Sequence, residues 1–139
     1  MMSIKQMVER TVMAGPPTIY LVDDDEAVRD SLTVLLESYG LSVRAYDSAL
    51  AFLADYRPGE HACLLLDLHM PGMSGLDLLE RTPPGRLGMP VIVITGRADP
   101  DARRRALAAG VGAVLDKPFR DDDLLTAIVR AVGAPASGR

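Results

Sequence analysis

Several side chains that can do chemistry stand at the ends of apolar runs in this sequence. They are Asp23 and Asp24 after IYLV, Asp67 after CLLL, Thr95 after VIVI, and Lys117 after AVLD. Grouped carboxylates repel one another and favour a hard divalent cation such as Mg²⁺, and an aspartate can form an aspartyl phosphate. A lysine and a hydroxyl can offset the charge of a phosphoryl group and donate a hydrogen bond to it. These residue types indicate a metal-assisted phosphoryl-transfer site.

The five side chains can act together only if the fold brings the ends of their strands to one place. Five apolar strand patterns alternate with five helical patterns, and the separations are long enough for crossover connections. This alternation predicts an α/β fold with a parallel sheet and helices on both faces. The carboxyl ends of parallel strands share one edge, where such sheets bind ligands.

The element boundaries are predicted from periodicity and from turn residues. Leu41 to Tyr46 alternates, with Leu41, Val43 and Ala45 on one face, which favours a strand near the sheet edge. Helices are predicted over 26–39, from Asp47 or Ser48 to 56, from 76 to before Pro83, and over 102–109 and 121–132. The helix over 102–109 has few apolar residues, so it should be weakly anchored. Its arginines, Arg103 to Arg105, are interpreted as a solvated face.

Composition limits the class of protein. The 139 residues suit one domain, with 48% hydrophobic and 24% charged residues as in soluble globular proteins. A net charge of −4 and a pI near 5.1 argue against direct nucleic-acid binding. The sequence contains neither an apolar span of 18 residues nor a secretory signal, so a cytoplasmic protein is expected. The single cysteine, Cys63, is expected to be an inert core thiol.

The two ends of the chain lie outside the strand and helix pattern. In residues 1–17, Ile4, Val8 and Val12 recur at four-residue spacing, which fits a short helix stopped by Gly15 and the prolines after it. A frayed tail, or a translation start at Met13 that leaves this extension outside the native chain, stay open as alternatives. Residues 133–139 are small and polar, and a disordered tail is predicted.

Four motifs together resemble a known family. IYLVDDDEAVRDSL, LLLDLHMPGMSGLDLL, VIVITG and LDKPF are similar, in order and spacing, to the receiver domains of two-component response regulators. The resemblance covers residues 18–132. It implies a flavodoxin-like five-stranded parallel sheet of order 2-1-3-4-5. In such a domain Asp67 accepts a phosphoryl group from a sensor histidine kinase, Thr95 and Lys117 contact the phosphoryl oxygens, and the bond between Lys117 and Pro118 is often cis.

The same resemblance implies a set of Mg²⁺ ligands. Asp24 and Asp67 would bind the ion directly, together with the backbone carbonyl of His69, and Asp23 would assist through water. The His69 side chain is expected to point outward at the pocket mouth, and a role in tuning hydrolysis stays open as an alternative. His61 is expected to be a loop residue.

This sequence departs from the family pattern in two places. Receivers commonly carry Tyr or Phe three residues before the lysine, and here that residue is Val114. The usual coupling of the threonine to the output surface is therefore in doubt. Only seven residues follow Val132, so no DNA-binding output domain is expected in this chain, and the signal should leave through protein contacts.

The expected function is a stand-alone phosphorylation switch rather than an enzyme, with at most self-catalysed phosphotransfer and autodephosphorylation. Its partners would be a sensor histidine kinase or a histidine phosphotransfer protein, a downstream protein, and in one version a second phosphorylated copy. Two alternatives stay open. One is a pseudo-receiver that binds partners without phosphorylation. The other is a haloacid-dehalogenase-like phosphohydrolase, which would need an Asp where His69 stands.

Overall fold

A five-stranded parallel sheet forms the centre of the fold. The computed structural model describes residues 1–59, 61–96 and 99–133. The strands are β1 (Thr18–Val22), β2 (Ser42–Tyr46), β3 (Ala62–Asp67), β4 (Val91–Thr95) and β5 (Ala113–Asp116). They are all parallel and lie in the order β2-β1-β3-β4-β5. The predicted sheet order is confirmed, and β2 is an edge strand as expected.

Seven helices connect and flank the strands in the described part of the chain. They are α1 (Ile4–Met13), α2 (Glu26–Ser38), α3 (Ala49–Asp55), α4 (Gly75–Arg81), α5 (Pro84–Leu87), α6 (Pro100–Ala108) and α7 (Asp121–Gly133). None of these helices is long and apolar enough to cross a membrane. The predicted disordered end, 133–139, lies outside the described residues apart from Gly133, which ends α7.

Alternate residues of each central strand feed two separate apolar clusters, one on each face of the sheet. In β1, Tyr20 and Val22 join the cluster that contains residues of α3 to α6, whereas Ile19 and Leu21 join the cluster that contains residues of α1, α2 and α7. The expected coverage of both faces is therefore confirmed.

The central strand β3 is buried along its whole length, as its continuous apolar run predicts. Cys63 in this strand has no exposed surface, and burial raises the pKa of its thiol to about 12. A protonated, inaccessible thiol is unreactive, which agrees with the expected core role.

Three local features differ from the sequence prediction or were missed by it. Helix α4 ends at Arg81, before Pro83 as predicted, but the short helix α5 was not predicted; it begins at Pro84, whose fixed φ suits the first helical position. In β2 Ala45 is exposed and Tyr46 is half-buried, because an edge strand is covered unevenly. Helix α3 stops at Asp55 because Tyr56 adopts an extended conformation.

Helix α6 has a thin apolar anchor, as predicted, with only Ala102 and Ala106 buried among its residues. Charge pairs supplement this anchor: Arg103 pairs with Asp116 in β5, Arg104 pairs with Asp101, and Arg105 pairs with Glu80 in α4. Because these pairs are exposed to solvent, they add little to the stability of the fold. The pairing also neutralises the arginine cluster, in line with the expected solvated face.

The start of α4 lies directly against the end of β3. A Cβ atom on Gly75 would stand 2.1 Å from the backbone oxygen of Asp67, and the Gly75 amide donates a hydrogen bond of 3.0 Å to the Leu68 carbonyl. Ser74 caps the helix and accepts a hydrogen bond from the Asp77 amide. Only a residue without a side chain fits this approach, so Gly75 fixes α4 against the loop that follows Asp67.

Gly75→Ala is therefore expected to destabilise the protein by about 1–3 kcal/mol, because the new methyl group must displace backbone rather than a flexible side chain. Urea unfolding measures the change. Gly85→Ala is the matched control, since no atom lies within 4 Å of the added methyl group. Equal stability of the two variants would contradict the close approach at Gly75.

Candidate functional site

The sheet register brings the chemically capable residues to one edge. Val22 of β1 pairs with Leu66 of β3, so Asp23 and Asp67 follow side by side. Asp67 pairs with Ile94, next to Thr95 at the end of β4. The Lys117 amide donates a hydrogen bond of 2.7 Å to the Thr95 carbonyl, which fixes the residue after β5 to the end of β4.

Three carboxylates converge at this edge. Oxygen atoms of Asp23, Asp24 and Asp67 lie within 4.8 Å of one another. Asp23 is fully buried and Asp67 is 5% exposed, whereas Asp24 is exposed to solvent. An all-oxygen donor set with one solvent-facing side matches the preference of Mg²⁺, which uses few protein carboxylates and keeps several waters. The residues present therefore fit a hard divalent cation.

Asp23 is held by partners on both carboxylate oxygens. Its Oδ1 accepts a hydrogen bond of 2.9 Å from the Asp25 amide, and its Oδ2 lies 2.8 Å from Lys117 Nζ. The Arg29 guanidinium donates to the backbone carbonyl of Asp23 at 2.8 Å. These contacts compensate for the burial of the Asp23 charge and fix its direction.

The negative charge of Asp67 is compensated less well by its neighbours than that of Asp23. Burial is the largest cause that raises its pKa to about 6, and the charges of Asp23 and Asp24 raise it further. A hydrogen bond of 3.2 Å from the His69 amide and the Lys117 ammonium, 3.8 Å from Oδ2, act in the opposite direction. The residue is therefore ionised at neutral pH but is held in an unfavourable environment for its charge.

The remaining predicted site residues are placed as follows. Thr95 is 3% exposed at the end of β4. Lys117 follows the neighbouring strand β5, and its side chain is 24% exposed. The bond between Lys117 and Pro118 is cis.

The prediction for the His69 side chain was wrong, because its Nε2 is buried rather than directed outward, and no hydrogen-bond partner lies among the described residues. His61 is exposed just before β3.

Sequence reasoning missed two residues that shape the site, Arg29 and Gly75. Arg29 lies one helical turn into α2, and its contact is with a backbone carbonyl that no side-chain pattern reveals. Gly75 stood just outside the helix predicted from 76, whereas it is the first residue of α4. Its role depends on the distance between two elements, which the sequence does not contain.

Val114 stands in β5 where the sequence motif commonly has an aromatic residue. It is half-buried and packs against the apolar cluster that includes Ala102 and Ala106 of α6. An aliphatic side chain therefore lies between the strand and this thinly anchored helix.

The fold and this acidic site define a signalling class. The family model described as "Response regulator receiver domain" matches residues 19–129. This chain belongs to the response regulator receiver domain family.

Named relatives agree with the family. The chain is 41% identical over 118 residues to the transcriptional regulatory protein FixJ of Azorhizobium caulinodans, covering 85% of this chain and 56% of FixJ. It is 43% identical over 114 residues to the response regulator protein TmoT of Ectopseudomonas mendocina, covering 82% of this chain and 52% of TmoT. The chain thus spans about half the length of the curated relatives it matches.

Solved structures show the same fold. The response regulator StyR superposes with a TM-score of 0.79 at 42% identity, covering 86% of this chain and 60% of StyR. The FixJ-N structure gives a TM-score of 0.74 at 38% identity, covering 87% of this chain and 97% of that chain.

The environment of Asp67 predicts an unusual stability effect. Asp67→Asn is expected to raise the free energy of unfolding by about 1–3 kcal/mol at pH 7.5 without divalent cations, because one pKa unit corresponds to about 1.4 kcal/mol. Above pH 6 the wild-type carboxylate is charged and penalised, and below its ordinary pKa of 3.8 it is neutral in both the folded and unfolded states. The advantage of the variant should therefore shrink as the pH falls from 7 to 4.

Urea unfolding at several pH values measures this difference. Asp30→Asn, at an exposed position of α2, is the control and should show no such pH-dependent gain. A variant no more stable than wild type at pH 7.5 would contradict the proposed strain at Asp67.

Proposed function

We propose that this chain is a phosphorylation-dependent switch in which Asp67 accepts a phosphoryl group. The observation that carries the proposal is the convergence of Asp67 with Asp23, Asp24 and the Lys117 ammonium at the carboxyl edge of the sheet. Membership of the receiver family supports the same function.

The proposed chemistry is an in-line transfer to a carboxylate. An oxygen of Asp67 attacks the phosphorus of a phosphohistidine or an acyl phosphate, and the bond from phosphorus to the donor nitrogen or oxygen breaks. The raised pKa of Asp67, about 6, leaves it ionised at neutral pH, so no base is needed to activate it. In a separate hydrolysis step, water attacks the phosphorus, the bond from phosphorus to the Asp67 oxygen breaks, and inorganic phosphate and the free Asp67 carboxylate form, which resets the switch.

The neighbouring residues have distinct roles in this proposal. Lys117 Nζ lies between Asp23 and Asp67 and supplies positive charge for the phosphoryl oxygens. Thr95 supplies a hydroxyl at the end of the adjacent strand. The backbone amide of His69 donates a hydrogen bond to an Asp67 oxygen and orients it, and the Nε2 atom of the His69 side chain is buried.

The proposed cofactor is Mg²⁺, which Asp24 and Asp67 would hold directly with the backbone carbonyl of His69, and which Asp23 would assist through water. When bound, the ion would neutralise the clustered carboxylates and the charge of the phosphoryl group. Asp24 is the exposed member, which leaves this side of the site open to water and to a phosphoryl donor.

A groove beside Lys117 supports a protein as the phosphoryl donor. It has a volume of about 440 Å³ and lies between the start of α2 and the residues after β5. Val28 and Leu32 line one side, and Pro118 and Phe119 line the other. We infer that a helix of a histidine kinase or histidine phosphotransfer protein docks there and presents its phosphohistidine to Asp67.

The output is proposed to pass through protein contacts at α6. This helix is joined to the rest of the domain by two small buried side chains and by charge pairs, so a new charge at Asp67 needs to shift only a weakly held element. With Val114 in place of an aromatic side chain, this shift would not involve the relocation of a ring.

Phosphorylation by a small donor tests the function directly. With acetyl phosphate and Mg²⁺, intact-protein mass spectrometry is expected to show the addition of one phosphoryl group, and EDTA should prevent it. Asp67→Asn should gain none, Asp24→Asn should gain it at least 10-fold more slowly, and Asp30→Asn should behave as wild type.

Two other results would identify the alternatives. Failure of the wild type to gain mass from this donor and from histidine kinases, without stabilisation by Mg²⁺, would indicate a pseudo-receiver. Sustained multiple turnover of a phosphate ester would indicate a phosphohydrolase.

A further inference from the structure

Helix α1 lies outside the residues matched by the family model and packs onto the domain along one row of side chains. Val8 is 1% exposed, and Ile4 and Val12, each four residues away, are half-buried in the same apolar cluster as Val132 of α7. Val12 Cγ1 lies 3.5 Å from the position of a Cβ on Gly40, just past the end of α2. The row therefore sits between α2 and α7.

The surface beneath α1 is called the α2–α7 face here and comprises Tyr39, Gly40, Val129 and Val132. It lies at the amino edge of the sheet, because Gly40 precedes β2. Asp67 ends β3 at the opposite edge, so this face is separate from the carboxylate site.

Apolar contact is the only attachment of α1 seen in the described part of the chain. Its side-chain hydrogen bonds are internal, between Ser3 and Gln6 and from Thr11 to the Met7 carbonyl, and no ion pair joins α1 to another element. A ten-residue helix is marginal in water by itself. Docking and helix formation of α1 are therefore coupled.

The fit of α1 to its surface is incomplete. A groove of about 590 Å³ lies between them, lined by Met7 and Thr11 on one side and by Val129 and Val132 on the other. Arg10 of α1 and Arg130 of α7 line the same groove, together with His61, and none of the described residues that line it is a carboxylate. Two like charges thus line the groove between α1 and α7, which a better-matched helix would avoid.

We propose that the α2–α7 face is a helix-binding surface that α1 covers reversibly. Its partner is an amphipathic helix of another protein with branched aliphatic residues four apart, as in Ile4, Val8 and Val12, and with a carboxylate where α1 carries Arg10. The docked α1 shows which apolar pattern this surface accepts. Arg130 of the surface forms no ion pair within the described ranges of the chain, so a carboxylate on the partner helix is favoured there.

A peptide competition in the 139-residue chain tests the proposal. A fluorescent peptide of residues 1–14 is titrated with the wild type and with Val8→Asp, which places a charge in the buried row and releases α1. The peptide should bind the variant at least 10-fold more tightly than the wild type, where the tethered α1 competes at millimolar effective concentration. A peptide carrying Arg10→Glu should bind 2- to 5-fold more tightly at low salt, and one carrying Val8→Asp should not bind.

Met13→Asp, an equivalent change at a position that is exposed, is the matched control and should behave as wild type. Thermal unfolding verifies that Val8→Asp is folded, and Val12→Asp is a second route to the same open surface.

The proposal is overturned if the peptide binds neither folded variant, or binds the wild type equally well. A dimer of the variant that the peptide does not dissociate would assign the face to a second copy. Loss of folding in both variants would make α1 an integral part of the fold.

Discussion

The burial of two aspartates side by side at the end of a parallel sheet is the constraint on which this structure depends. Asp23 has no exposed surface, and Asp67 has almost none. A buried carboxylate is tolerated only with compensation, and here Lys117 and backbone amides supply it. The compensation favours Asp23, so the strain is concentrated on Asp67, the residue proposed to react.

This constraint explains why the surrounding elements are positioned so closely. Gly75 admits the start of α4 against the Asp67 carbonyl, and Lys117 is tied through its amide to the end of β4. The carboxylates are thus held by rigid strand ends and short backbone contacts. By contrast, α6 is attached through two alanines and exposed charge pairs. A stiff site next to a weakly held helix is a suitable arrangement for a switch.

The sequence predicted the features that depend on the periodicity of apolar residues. It did not predict the features that depend on distances between elements. Continuous apolar runs gave the strands, and the charged or polar residue at the end of each run located the edge where Asp67 and Lys117 meet. The helix α5 was missed because proline was treated only as a breaker, although it also suits a first helical position. The buried Nε2 of His69 and the contact of Arg29 with a backbone carbonyl arise from three-dimensional packing that spacing does not encode.

The groove beneath α1 has a consequence for how this domain is joined to other polypeptide. Met2 and Gly133 both line it, so the two ends of the described chain lie beside the same groove. A polypeptide fused to the amino terminus would therefore begin at the amino edge of the sheet, remote from the aspartates. A chemical event at the carboxyl edge of the sheet would then reach the fused polypeptide only through the body of the domain, along α7 or across the strands.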